Sequence, residues 1–199
     1  MISISELKDI AVAFSALSAT YIAYQGLSTW KDELKGKSEY QISKDVLRAV
    51  YKVREAFKHV RNPVIYQYEY PEDMTSSSGH LKSEHIFEGN AHVYEQRWKV
   101  LHKAFVELEE CFLEALVVWG SDYQDTIAPL RLCRGEVQMA IQHLLSKYRN
   151  PHEADWMNAE ERKRQRAVIY YGGKESKYDT FTPEIDLAVQ KFEKWFRNS

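Results

Sequence analysis

The sequence predicts an all-α fold in which one N-terminal transmembrane helix, within residues 1–36, precedes a cytoplasmic helical bundle over residues 37–199. Three observations carry this. From Ile10 to Thr29 there is no charged residue, and a helix of about 20 residues reaches about 30 Å, the thickness of a bilayer's hydrocarbon core. Downstream, apolar residues recur at helical spacing in several long segments, and no sustained run alternates in the strand period. Only 8 Gly and 5 Pro occur among 199 residues, too few for a turn-rich β fold.

Composition narrows the function classes before any motif is considered. With 44% hydrophobic and 28% charged residues, the chain is globular rather than disordered. A net charge of −2 exerts no global pull on nucleic acid or an anionic surface, so any electrostatic partner must answer to a local patch. The two cysteines, Cys111 and Cys133, fall in helical segments without CxxC or Cys/His spacing. They read as structural thiols of a reducing compartment.

The first helix is bracketed by Lys8-Asp9 and by Lys31-Asp32-Glu33. Glu6 and Asp9 near its start, and Tyr, Gln and Trp after its apolar core, do not fit a cleaved signal peptide. Lys31, Lys35, Lys37 and Lys44 follow the helix and Lys8 alone precedes it, so the positive-inside rule expects a single-pass inner-membrane protein with its C-terminal domain in the cytoplasm. Ala11, Ser15, Ala19 and Ala23 place a small residue at every fourth position, a ridge that lets another helix approach closely. With Ser18 and Gln25 they are expected to mediate self-association of a homo-oligomer or to line a polar pore. The alternative is an amphipathic helix packed on its own domain.

A second helix is expected from Glu39 to Arg61 on the stripe Ile42, Val46, Val50, Val53, Phe57 and Val60. Asn62-Pro63 stops it, because the residue before a proline resists helical geometry. Residues 64–88 lack periodicity and read as a loop with Thr75–Gly79 at its tip. A third helix runs from Gly89 to Trp119 through Val93, Leu101, Phe105, Leu108 and Phe112, and its later outer face is acidic. A fourth covers Pro129 to Tyr148, with proline suited to a first turn. A short basic helix around Arg162–Arg166 and a Gly172-Gly173 turn lead to Thr182-Pro183-Glu184, a start signal with Thr as cap, for a last helix to about Arg197.

Arg54-Glu55-Ala56-Phe57-Lys58-His59 is an Arg-x4-His motif, and Arg97 to His102 repeats the spacing. This resembles the motif of HEPN domains, helical bundles that often pair across a dimer axis and, when active, cut RNA without metal. The resemblance implies a His that exchanges protons with the 2′-hydroxyl or leaving oxygen and an Arg that steadies the phosphorane charge. Residues five apart on a regular helix point about 140° away from each other, so the mid-helix pair Arg97/His102 reads as structural. Arg54/His59 is the candidate catalytic pair, because His59 lies in a last turn that can unwind and that a partner subunit could complete.

On the non-apolar half of the second helix, Lys44, Arg48, Lys52, Arg54, Lys58 and Arg61 oppose only Asp45 and Glu55. This face is expected to meet anionic lipid headgroups, each cation contributing about 1 kcal/mol near the surface, with RNA phosphate as the competing ligand. Arg162–Arg166 has acidic neighbours and reads as a self-paired solvated helix. His80, Glu84, His85, Glu88 and His92 follow no metal-ligand spacing, and no Walker loop, GxSxG, HExxH or dinucleotide fingerprint occurs, so neither metal nor cofactor is expected.

Trp30-Lys31-Asp32-Glu33-Leu34-Lys35-Gly36-Lys37-Ser38-Glu39-Tyr40 and Val60-Arg61-Asn62-Pro63 resemble a signature of bacterial single-span membrane proteins of unassigned function. More loosely, one span followed by a helical domain with Arg-x4-His is similar to the small HEPN-like membrane accessory proteins of RNA-targeting CRISPR systems, which form ring-shaped pores. The resemblance implies a membrane-anchored, self-associating accessory or effector in anti-phage defence. Its partners would be further copies, membrane lipids, and RNA or an RNA-guided effector protein. The alternatives are a membrane-tethered HEPN-type ribonuclease using Arg54 and His59, and a non-enzymatic scaffold.

Overall fold

A computed structural model describes residues 4–152, 157–173 and 176–198; the side chains of residues 4–13, 16, 122, 197 and 198 lie outside that description. Among the described residues the fold is all-α: α1 (Ile4–Val60), α2 (Ile86–Trp119), α3 (Ala128–Arg149), α4 (Ala159–Ile169) and α5 (Thr182–Asn198), with 3-10 turns between. The chain divides into two units, residues 1–43 and 44–199.

The first unit consists of the N-terminal part of α1. Helix α1 continues through Gly36, where a break was expected. Gly36 does not have the positive φ of a helix-ending glycine, and the Lys35–Glu39 ion pair, 3.8 Å at i,i+4, bridges it. Ser18 Oγ donates to Phe14 O at 2.9 Å and Thr29 Oγ1 to Gln25 O at 3.0 Å, so these hydroxyls bond back to their own helix. Among the described residues no helix is long and apolar enough to cross a membrane, which overturns the expected transmembrane helix and single-pass inner-membrane localisation. Ser15, Ser18, Thr20 and Gln25, together with the phenols of Tyr21 and Tyr24, put polar groups into every turn of the segment whose side chains are described.

In the second unit the C-terminal part of α1 presents Val46, Val50, Val53, Phe57 and Val60, each at most 1% exposed, as the i, i+4, i+7 stripe requires. The stripe meets α2 through Phe57 and Phe105, edge to face at 5.8 Å. Helix α5 adds Phe192, whose ring lies 5.7 Å from that of Phe112, and Trp195, stacked on Tyr123 at 4.6 Å. Each fully buried large side chain contributes about 1.5–3 kcal/mol, so these rings dominate the cohesion of the bundle. Gly120, at φ +93°, ends α2 where an L side chain would be strained. Helix α4 starts on a capping box: Asn158 Oδ1 accepts from Glu160 N and Glu161 N, and the Glu161 carboxylate accepts from Asn158 N at 2.8 Å. The expected cap of α5, Thr182, is replaced by Asp179, whose carboxylate accepts the Thr182 N–H at 2.9 Å.

Candidate functional site

Two arginines at the C-terminal end of α1 and in the middle of α2 organise the second unit. Arg61 is 1% exposed. Its Nε donates to Val168 O at 2.7 Å, Nη1 to Thr182 Oγ1 at 2.9 Å, and Nη2 to Ala167 O at 2.8 Å and to Asp179 Oδ1 at 2.7 Å. Its own carbonyl accepts from Tyr171 N at 2.7 Å. One guanidinium thereby satisfies the carbonyls that end α4 and ties them to the start of α5, a use that needs the planar five-donor fork. Burial pulls the Arg61 pKa below its ordinary value while Asp179 opposes the shift. For Asp179, burial pushes upward, but hydrogen bonds from the Thr182 hydroxyl and N–H, from Gly172 N–H and from Arg61 hold the carboxyl below its usual range. Arg61 was expected to face lipid headgroups or RNA phosphate. That assignment is corrected: the side chain is enclosed and its donors are engaged.

Arg97 performs the matching task for the loop after α1. Its Nη1 and Nη2 donate to Asn62 O and Val64 O, both at 2.6 Å, and Nε and Nη2 reach the Glu69 carboxylate at 2.7 and 2.8 Å. Burial raises the Glu69 pKa, but the Arg97 hydrogen bonds, the Tyr66 N–H and the charges of Arg97 and His59 together leave it lowered. The partner that the Arg-x4-His spacing would assign to Arg97 is elsewhere: His102 Nδ1 lies 3.3 Å from Arg134 Nη2.

The basic face of α1 is largely neutralised within the chain. Arg48 pairs with Asp45 at 3.0 Å, Lys58 with Glu55 at 2.7 Å, and Lys52 with Glu107 of α2; Lys44 is exposed. Arg54 lies 5.0 Å over the Tyr51 ring and 3.4 Å from Glu55. His59 is exposed and remains helical, and Asn62 N donates to its carbonyl at 3.2 Å. The last turn therefore tightens where unwinding was expected, and α1 keeps Arg54 and His59 in the regular geometry that points them apart. Arg164, from the basic run, is bridged by Glu136 of α3 at 2.6 Å and Glu184 of α5 at 2.8 Å, partners outside the acidic neighbours that the sequence offered.

Among the described residues the first unit carries a run of exposed apolar side chains. Phe14, Leu17, Tyr21, Tyr24, Leu27, Trp30 and Leu34 are between 46% and 72% exposed. Phe14, Leu17, Tyr21 and Tyr24 follow one another in the three-, four- and three-residue steps of a coiled-coil seam and share one face; two further three-residue steps carry Leu27 and Trp30, and with them Leu34, away from that face. Among the expected self-association positions, Ser15, Ala19, Ala23 and Gln25 are exposed and Ser18 is half-buried, while the side chain of Ala11 lies outside the described residues. Gln25 Nε2 donates to Tyr21 Oη at 2.6 Å, so this amide is engaged along its own helix. Sequence reasoning named the small ridge and passed over the larger aromatic one; its signal was the step pattern Phe14, Leu17, Tyr21, Tyr24.

Two further features lie on the second unit. A groove of about 790 Å³ between α3 and α4 is lined by Leu132, Met139 and Val168, with His143 and Gln165 on its wall and 2.7 Å between His143 Nδ1 and Gln165 Nε2. Cys133 is buried and Cys111 half-buried, both as free thiols; burial pushes the Cys133 thiol up to about 11, out of the reactive range. Among the described residues no group of three or more His, Cys, Asp or Glu side chains is placed to hold a metal ion. No protein-family model, curated protein or solved structure matches the chain.

Proposed function

We propose that this protein is a self-associating helical accessory or effector that acts as an assembly of its own copies, with the exposed seam on the N-terminal part of α1 as the joining surface. The seam itself is the supporting observation. At about 200 Å² per large side chain, the exposures of Phe14, Leu17, Tyr21 and Tyr24 amount to roughly 550 Å² per copy, at the low end of what each partner brings to a specific interface. A second copy supplies the same step pattern, so the surface is its own complement. The Arg-x4-His motif, the remaining part of the resemblance to HEPN-like CRISPR accessory proteins, makes anti-phage defence the proposed setting.

Sedimentation of the full chain tests this. The wild type is expected as a multimer at micromolar concentration, and the Leu17→Ser/Tyr21→Ser/Tyr24→Ser variant as a smaller species with the helical content of the bundle retained. A particle mass that the triple substitution leaves unchanged would refute the seam.

A second reading, a HEPN-like bundle with metal-independent ribonuclease activity, draws on the exposure of His59 at the end of α1 and would need a partner subunit to complete the site. RNA cleavage by the wild type that is lost in Arg54→Ala/His59→Ala, with an unchanged melting temperature, supports it.

A further inference from the structure

The outer face of α2 is exposed and carries charge of opposite sign at its two ends. Val100, Val106, Leu113 and Val117 are 48%, 39%, 63% and 86% exposed, and Val106, Glu110, Leu113 and Val117 lie on one helix face by their four- and three-residue steps. Before Val106 the face carries Lys99 and Lys103; after it come Glu110 and Glu114. The acidic residues of this helix divide by role. Glu107 and Glu109 are engaged by Lys52 and Arg131 within the chain. Glu110 and Glu114 are exposed, and no cation among the described residues pairs with them. Lys99 meets Glu95 on its own helix at 2.8 Å with both side chains about 60% exposed, a pair weak enough to exchange partners.

We infer that α2 docks against α2 of a second copy, antiparallel, about a two-fold axis beside Val106 and Glu107. In that register Lys103 meets Glu110 of the second copy and Lys99 meets Glu114. Each contact occurs twice, because an isologous interface repeats every pair. A parallel arrangement sets Lys103 against Lys103 and Glu110 against Glu110, and like charges opposed in this way are disfavoured by the same Coulomb term. From Lys99 to Val117 the face is about 27 Å long and covers on the order of 600 Å² per copy, the low end of specific interfaces. This interface lies on the second unit and does not depend on the α1 seam.

The test uses the full chain carrying Leu17→Ser/Tyr21→Ser/Tyr24→Ser, so that the α1 seam contributes nothing to the result. Sedimentation equilibrium at low salt is expected to show a dimer. Lys103→Glu and Glu110→Lys each weaken it by about tenfold or more, and the combined Lys103→Glu/Glu110→Lys restores it to within about threefold. The two positions are about 10 Å apart along one helix, so the rescue cannot arise within a single chain. A monomer throughout the micromolar range, or a double variant as weak as the singles with circular dichroism unchanged, would overturn the inference.

Discussion

Arg61 and Asp179 form an ion pair 2.7 Å long in which both side chains are 1% exposed. Removing one partner strands the other as a buried charge, so Arg61→Ala or Asp179→Ala is expected to cost about 3–5 kcal/mol. Arg61→Lys should recover little, because an ammonium cannot reach the Val168, Ala167 and Thr182 oxygens at once. Urea denaturation midpoints of the three variants check this.

The acid limit of stability follows from the same pair and from Arg97–Glu69. Both carboxyls are held below their ordinary values in the folded chain. A depressed carboxylate contributes stability that is complete above its unfolded pKa, about 3.9 for Asp and 4.3 for Glu, and that is lost as pH falls through the folded value. Stability is therefore expected to fall progressively below about pH 4. Asp179→Asn should lower stability near neutral pH and flatten the acid slope, measured as urea midpoints between about pH 3 and 7.

Arg97 fixes a loop rather than a pair of helices. Arg97→Ala frees the carbonyls of Asn62 and Val64 and the Glu69 carboxylate, and is expected to cost about 2–4 kcal/mol. Hydrogen exchange should show the loss first at the amides of residues 64–70. Glu69→Gln keeps the two carbonyl bonds and should cost about half as much.

Gly135 lies inside α3 with nothing within 4 Å of the position a Cβ would take and without a positive φ. Gly135→Ala should therefore stabilise the protein by about 0.5–1 kcal/mol, since glycine in a helix interior carries that penalty relative to alanine. A rise in melting temperature measures it.

Arg54 and His59, by contrast, hold little of the structure. Arg54 touches the exposed Tyr51 ring and Glu55, and His59 is exposed, so alanine at either position should change stability by no more than about 0.5 kcal/mol. A melting temperature that drops by many degrees would show a structural duty not visible in their contacts.

The apolar stripes of α1, α2 and α5 were readable because helical periodicity records which side faces in. Arg61 was misplaced for a physical reason: charge was allowed to outweigh position. It sits four residues after Phe57, in line with Val46, Val50 and Val53, and so continues the buried stripe. Arg97 stands in the same way between Val93 and Leu101. An arginine in phase with a core stripe, near a helix end or loop whose carbonyls need donors, is the signal that finds both. Their acceptors could not be read, since Val168, Thr182 and Asp179 are brought to Arg61 only by tertiary folding. The absence of charge over Ile10–Thr29 was equally misleading as a membrane signal, because hydroxyls, an amide and phenols are uncharged but still polar.

The reach of Arg61 orders events as the chain is made. Its acceptors at Val168, Asp179 and Thr182 lie 107, 118 and 121 residues downstream, so the α1 end of the bundle cannot close until the chain has been synthesised through Thr182. The seam at residues 14–24 emerges well before those acceptors. During translation it is available to other chains before its own bundle is locked, and neighbouring nascent chains on one messenger can meet through it while their C-terminal helices are still unmade.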